Sequence, residues 1–447
     1  MAATARVLAA LTLILAVMAP AAAQDLPPVA APTHHVTVYP LPPPGLDNFS
    51  VDKAVNAYIA SVSTKEKAKS DAYFEGKYYL SVIDLIYVLV VSGVLLWTQV
   101  SAWMRGIAAS VTRSRILQTP IYVAQYFAAV TVVELPLAFY EGYVREHAYG
   151  LSNQSFGAWV GQYFIGAVVS LVALTVLLTL IYAVIRKAKE RWWLWGAAIA
   201  VLFAAFMLAV QPVLVEPLFN RFQPLPSGPL KTEILTQAKA NGVPADNVFV
   251  YDESRQSNRI TAYVSGFLGS ARISLSDNLV KNCPPNEVLA VVGHEIGHYT
   301  MNHITILLTW MGLLVLALFW LIDKVFRGLV NLFGGNWDVR TIADPAGLPL
   351  VAALIAFFAF LAAPVTNTIL RTQETQADIF SLNAVRQPDA FAKATLRLSN
   401  YRKLDPSPTE EFWFYDHPSG RTRITTAMRW KAAHIQDPDI QSGPMSP

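Results

Sequence analysis

The sequence predicts a mainly α, polytopic α-helical membrane protein with a small α+β region between its fourth and fifth spans. Three observations predict it. Hydrophobic residues make up 54% of the 447 residues and charged residues only 15%, where a soluble globular protein carries about 25% charged residues, and mean hydropathy is +0.37. Segments of the ~20 mostly apolar residues that a spanning helix needs recur along the chain. Basic residues gather in alternate loops between those segments.

The chain begins like a secretory signal (1–23). Arg6 is followed by an apolar run from Val7 to Met18 and by the small residues Ala21, Ala22 and Ala23. An uncleaved first span is the alternative. A proline-rich linker follows, leading into an amphipathic helix; together they occupy 24–78. Apolar segments then run over 79–98, 118–139, 158–184, 192–214, 303–322 and 348–370. They define a four-span region (79–214), a two-span hairpin (303–370), and polar regions at 215–302 and 371–447.

Orientation follows from the loops. Arg105, Arg113 and Arg115 follow the first span, Arg186, Lys187, Lys189 and Arg191 the third, and Lys324, Arg327 and Arg340 the fifth. Basic loops face the cytoplasm. The mature N-terminus, 215–302 and the C-terminal tail are therefore expected on the opposite, periplasmic side of a bacterial-type inner membrane. In span two, Glu134 either faces a polar interior or lies at the interface near Pro136. The net charge of +3 gives no reason to expect a nucleic-acid partner, and the single cysteine, Cys283, excludes an intrachain disulfide and a cysteine metal cluster.

The segment Pro284 to His303 reads PPNEVLAVVGHEIGHYTMNH. Its prolines suit a helix start, and Val288, Leu289, Val291, Val292 and Ile296 give it an apolar face. His294 and His298 are four apart, so their imidazoles share one helix face and can share one ion. Glu295 lies beside that ion, as the H-E-x-x-H pattern of zinc proteases requires. Three protein ligands leave zinc a position for water, from which Glu295 can take a proton.

No third histidine follows at the short spacing some zinc proteases use, because Met301 and Ile304 stand there. His303, five residues past His298, falls off the ligand face. Topology offers a better ligand. The motif helix is expected to run straight into span five, and span six returns to the same side four residues before Glu374. Asp378 lies one turn beyond and can fix a ligand imidazole by a hydrogen bond. Zinc, one ion per chain, is thus expected on His294, His298 and Glu374.

These residues resemble a known family. EGYVREHAYGLSNQSFG (141–157), EPLFNRFQPLPSG (216–228), VVGHEIGHYTMNH (291–303), ETQAD (374–378) and HPSGRTRI (417–424) are similar to ordered motifs of the membrane-embedded type I CAAX prenyl proteases, which are gluzincins. The resemblance implies a ring of membrane helices around a water-filled chamber, with the active site facing inward. It implies His417 at the transition-state oxyanion and Arg423 anchoring Glu374. Where the family commonly has Asn-Ala-Tyr on its substrate strand, this chain has Thr261, Ala262 and Tyr263, and Arg259 stands where several members have histidine. Residues Arg259 to Val264 still read as a short strand, Gly266 to Gly269 as a turn, and Arg272 to Leu275 as the returning strand; an extended peptide could add to the edge.

The expectation is a zinc endopeptidase in the bilayer, acting on peptide or protein substrates. Its rival is a membrane chaperone or channel that keeps zinc only as structure, in which Glu295 has no use.

Overall fold

The computed structural model describes residues 49–266 and 271–441. The signal-like start, most of the proline-rich linker and the tip of the turn at Gly266 to Gly269 lie outside them. The principal helices are α1 (Val51–Ala60), α2 (Thr64–Trp97), α3 (Val100–Val111), α4 (Arg115–Phe139), α5 (Phe156–Ala188), α6 (Trp192–Val210), α7 (Pro229–Ala240), α8 (Pro285–Thr300), α9 (His303–Trp337), α10 (Leu348–Val385), α11 (Pro388–Leu398), α12 (Pro408–Phe414) and α13 (Gly420–Ala433).

Five helical stretches among the described residues are long and apolar enough to cross a membrane. One of them, Phe156–Phe219, is 64 residues long, about 96 Å if it were straight and far beyond the ~30 Å hydrocarbon core. It folds back instead. Lys189 sits at φ 49°, and α5 and α6 pack against each other, so the stretch supplies two crossings. Large apolar side chains such as Ile86, Val132, Phe164, Leu202 and Leu361 stay exposed on these helices, the face that lipid covers.

The spans begin and end elsewhere than hydropathy suggests. The first is the far part of α2, whose start carries Lys65, Glu66, Lys67 and Asp71 and is capped by Ser63. The fifth runs on to Trp337 and the sixth to Val385. With 38 residues, α10 is about 57 Å long and must project beyond the bilayer, carrying Glu374 and Asp378 with it. The motif helix does not run straight into the fifth span. It ends at Thr300, and Asn302 in the left-handed region (φ 55°) redirects the chain before α9.

The basic loops meet at one end of the molecule. Arg105 Nη1 lies 2.6 Å from Asp344 Oδ2, Arg186 donates to the Arg115 carbonyl at 2.9 Å, and Arg327 Nη1 lies 3.8 Å from Glu190 Oε1. At the other end a four-stranded mixed sheet has the order β1 (Phe222–Pro224), β2 (Val248–Tyr251), β4 (Arg272–Ser276), β3 (Ala262–Ser265). Strand β3 pairs antiparallel with β4 alone and forms the sheet edge; it starts three residues later than the sequence suggests. Its core joins Val248, Val250, Ile273 and Leu275 to Val288, Val292 and Ile296 of α8. Between the helices, Glu134 lines a cavity of about 600 Å³ with Gln162 and Tyr163, so it faces the interior.

Helices α8 and α10 approach closely, and glycine permits it. A Cβ at Gly293 would stand 2.6 Å from Val385 Cγ2 and 3.0 Å from Ser381 Oγ, and one at Gly297 would stand 3.0 Å from Phe380. The two glycines are four apart, a small-residue seam of the kind that lets helix backbones approach. The Ser381 hydroxyl, bonded to the Ala290 carbonyl at 2.6 Å, fixes the register. Gly293→Ala is expected to destabilise the detergent-solubilised protein by ~1–3 kcal/mol through overpacking. Gly106→Ala, where a Cβ meets nothing within 4 Å, should leave the melting temperature nearly unchanged.

Candidate metal centre

The seam places a carboxylate from α10 over two imidazoles from α8. One ligand atom from each of His294, His298 and Glu374 lies within 4.8 Å of the others. Nε2 of His294 and Nε2 of His298 are 3.0 Å apart; Glu374 Oε2 is 3.1 Å from the former and Oε1 is 3.4 Å from the latter. Glu374 Oε2 is buried without a hydrogen bond, although His294 stands beside it. The three groups aim at a common point rather than at one another.

The other ring nitrogens are already committed. His294 Nδ1 lies 2.8 Å from Asp378 Oδ1. His298 Nδ1 lies 2.9 Å from His303 Nδ1, whose Nε2 meets Gln376 Oε1 at 3.1 Å. Both Nε2 atoms are thereby turned inward, which is how outer partners orient metal-binding imidazoles. A tight nitrogen–nitrogen–oxygen set with an open side fits zinc, whose usual ligands these are. His303 is off the ligand face as its spacing implies, but the left-handed turn at Asn302 brings it back onto His298.

Arg423 sits elsewhere than the resemblance implies. Its guanidinium forks onto Asp378, with Nε 2.9 Å from Oδ2 and Nη2 2.6 Å from Oδ1, and does not grip Glu374. Asp378 lies one turn further along α10, level with α13, and presents both oxygens to the fork. Arg423 therefore steadies the Asp378–His294 pair. His417 does reach the centre: its Nε2 is 3.4 Å from Glu374 Oε2, and Asp416 Oδ1 holds its Nδ1 at 2.9 Å. Sequence reasoning missed Asp416, although it is the adjacent residue. Burial raises the Asp416 pKa, but the hydrogen bond and charge of His417 outweigh this and hold it at about 2.

A cavity of about 270 Å³ adjoins these groups, lined by His294, Glu295, His417 and Arg423 on one side and by Thr261 and Ala262 on the other. Thr261 turns its hydroxyl to Glu253 Oε2 at 3.0 Å, and the Tyr263 hydroxyl donates to Glu216 Oε2. Those side chains brace the strand and leave its backbone to face the cleft. Burial raises the Glu295 pKa above the usual 4.5, with His294 and His298 pulling it down. Burial also opposes charge on His294, but Asp378 and Glu374 outweigh it and raise its pKa to about 10; a proton and a metal ion compete for this ring.

Comparison with known proteins places these features in context. Residues 224–431 match Peptidase family M48, and residues 49–221 match the CAAX prenyl protease N-terminal region of five membrane helices. The chain is 32% identical to the uncharacterized metalloprotease YhfN of Bacillus subtilis, over 84% of this chain and 88% of that one. It is 29% identical to CAAX prenyl protease 1 of Saccharomyces cerevisiae, over 70% and 72%. The crystal structure of S. mikatae Ste24p superposes with a TM-score of 0.70 and 25% identity, covering 82% of this chain and 90% of that one.

Asp378→Asn should keep the fold and weaken zinc binding by ~10–100-fold, measured by competition with a chelator. His303→Ala should shift the affinity in the same direction, because it frees Nδ1 of His298.

Proposed function

The chain belongs to peptidase family M48, and from that premise we propose that it is a zinc-dependent membrane endopeptidase that hydrolyses peptide bonds with Glu295 as general base. The observation carrying this reading is the convergence of His294, His298 and Glu374 on a cavity that also holds Glu295 and the edge of β3. His294, His298 and Glu374 would hold one zinc ion per chain. When bound, zinc lowers the pKa of water and polarises a carbonyl.

The chain's own groups do the rest. An extended peptide pairs through its main chain with β3, which has a free edge. Backbone pairing tolerates many side chains, and a cleft of this kind accepts only extended segments. Glu295 takes a proton from the attacking water and delivers it to the leaving amine. His417, fixed by Asp416, donates toward the oxygen on which negative charge develops. Asp378 and Arg423 keep His294 oriented.

Several relatives are named CAAX prenyl proteases, and a prenylated C-terminal motif is one substrate class that this suggests. Maturation or quality control of membrane-associated chains is the second reading. The likeness to a bacterial metalloprotease and the replacement of the family's strand asparagine by Thr261 favour it. The clustering of basic loops at the end opposite the metal centre supports a periplasmic catalytic face in a bacterial inner membrane.

Glu295→Gln should retain stoichiometric zinc and lose cleavage of an unstructured peptide by at least ~100-fold, given the 10²–10⁴-fold worth of general-base catalysis; persistent cleavage would sink the mechanism. For sidedness, a cysteine replacing the exposed Ser227 should be labelled by an impermeant maleimide added outside intact spheroplasts. Cys283 is buried and should stay silent.

A further inference from the structure

The loops after the first, third and fifth spans do more than share a side of the membrane. They close around one pocket. Arg115, Arg186, Lys189, Arg327 and Arg340 line a cavity of about 520 Å³ at the end of the molecule opposite the metal centre, against one lining carboxylate among the described residues, Glu190. The bias of basic loops asks such residues to lie on one side; it does not ask cations from three separate connections to share a cavity.

Most of this charge is not neutralised. Of the five, only Arg327 forms an ion pair among the described residues, with Asp323 at 3.0 Å and with Glu190 at 3.8 Å. The Glu190 side chain is 86% exposed, and a surface pair of that kind is worth little. Arg186 gives its donors to uncharged oxygens, the Arg115 carbonyl and the Thr119 hydroxyl, each at 2.9 Å. Helix α4 starts at Arg115 without a side-chain cap, which adds the positive end of its dipole.

Apolar surface adjoins the cations. Buried Ile185, Phe326 and Ile342 complete the lining. Ile116 and Leu117, next to Arg115, are exposed, and so is Leu180, six residues before Arg186 and about 9 Å deeper in the bilayer. The exposed Trp195, in the first turn of α6, marks the headgroup level, where tryptophan gathers.

We propose that this pocket binds the phosphate headgroup of an anionic phospholipid, whose acyl chains lie along the exposed sides of α4 and α5. Basic pockets between membrane helices take such headgroups. A soluble phosphate would match the cations and leave Ile116, Leu117 and Leu180 uncovered, whereas a lipid covers both. Bound there, the lipid ties the start of α4 to the α5–α6 turn and to the loop after α9.

The test titrates the full chain in detergent with phosphatidylglycerol or with phosphatidylcholine of the same acyl chains, reading bound lipid by native mass spectrometry and the melting temperature alongside. The wild type should prefer phosphatidylglycerol by at least ~10-fold, the worth of a charge-assisted contact, and should melt higher in its presence. In Arg115→Gln/Arg340→Gln the preference should fall to near one, and in Arg115→Lys/Arg340→Lys it should be retained. Lys187→Gln/Arg191→Gln removes the same charge from exposed residues outside the pocket and should leave the preference unchanged. An unaltered melting temperature of each variant in phosphatidylcholine excludes misfolding. Equal affinity of the wild type for the two lipids, or a preference that survives in Arg115→Gln/Arg340→Gln, would overturn the site. So would an equal loss in Lys187→Gln/Arg191→Gln, the mark of a diffuse surface field, or displacement of the lipid by glycerol phosphate at equal concentration, the mark of a soluble-anion site.

Discussion

The close approach of α8 and α10 is the constraint on which the rest depends. His294 and His298 come from one helix and Glu374 from another, 76 positions later in the chain. A shared site requires the helix axes to lie nearer than ordinary side chains allow. Gly293 and Gly297 remove the side chains that would hold them apart, and Ser381 locks the register through the Ala290 carbonyl. Each glycine precedes a histidine by one residue, so the seam and the ligand face are adjacent on the same helix. Sliding α10 by one turn, about 5.4 Å, would put Asp378 or Leu370 where Glu374 now stands.

Around this contact, outer groups convert proximity into direction. Asp378 and His303 each occupy the Nδ1 of one ligand ring, which leaves both Nε2 atoms to face inward. Arg423 in turn holds Asp378 by two contacts, balancing a buried carboxylate with a buried cation. The edge of β3 forms the opposite wall. Its side chains are tied down beneath it, and what it presents to the cleft is backbone.

Much of this was legible in the sequence, because the signals are local. Hydropathy marks spans, the four-residue spacing marks the histidine face, and chain direction through a membrane hairpin carries Glu374 to the right side. What was not legible depends on reach or on a single backbone angle. Charged residues such as Lys65 and Asp71 hid the fact that the amphipathic helix and the first span are one continuous helix, α2. The left-handed Asn302 brings His303 onto His298, and spacing along an ideal helix does not reveal that. Whether the Arg423 fork meets Glu374 or Asp378 depends on a one-turn difference in height between α10 and α13, which no motif encodes.

With His294 and His298 on α8, ahead of the membrane hairpin, and Glu374 on its returning arm α10, capture of a metal ion is tied to membrane assembly. The isolated α8 segment has two imidazoles and lacks Glu374 to complete the set, so an unassembled chain would hold zinc weakly. Once the hairpin closes, an ion held by the three ligands would bridge α8 and α10, and its binding free energy would oppose their separation. On this arrangement the metal would be taken up late, as the last cross-link of a finished membrane fold.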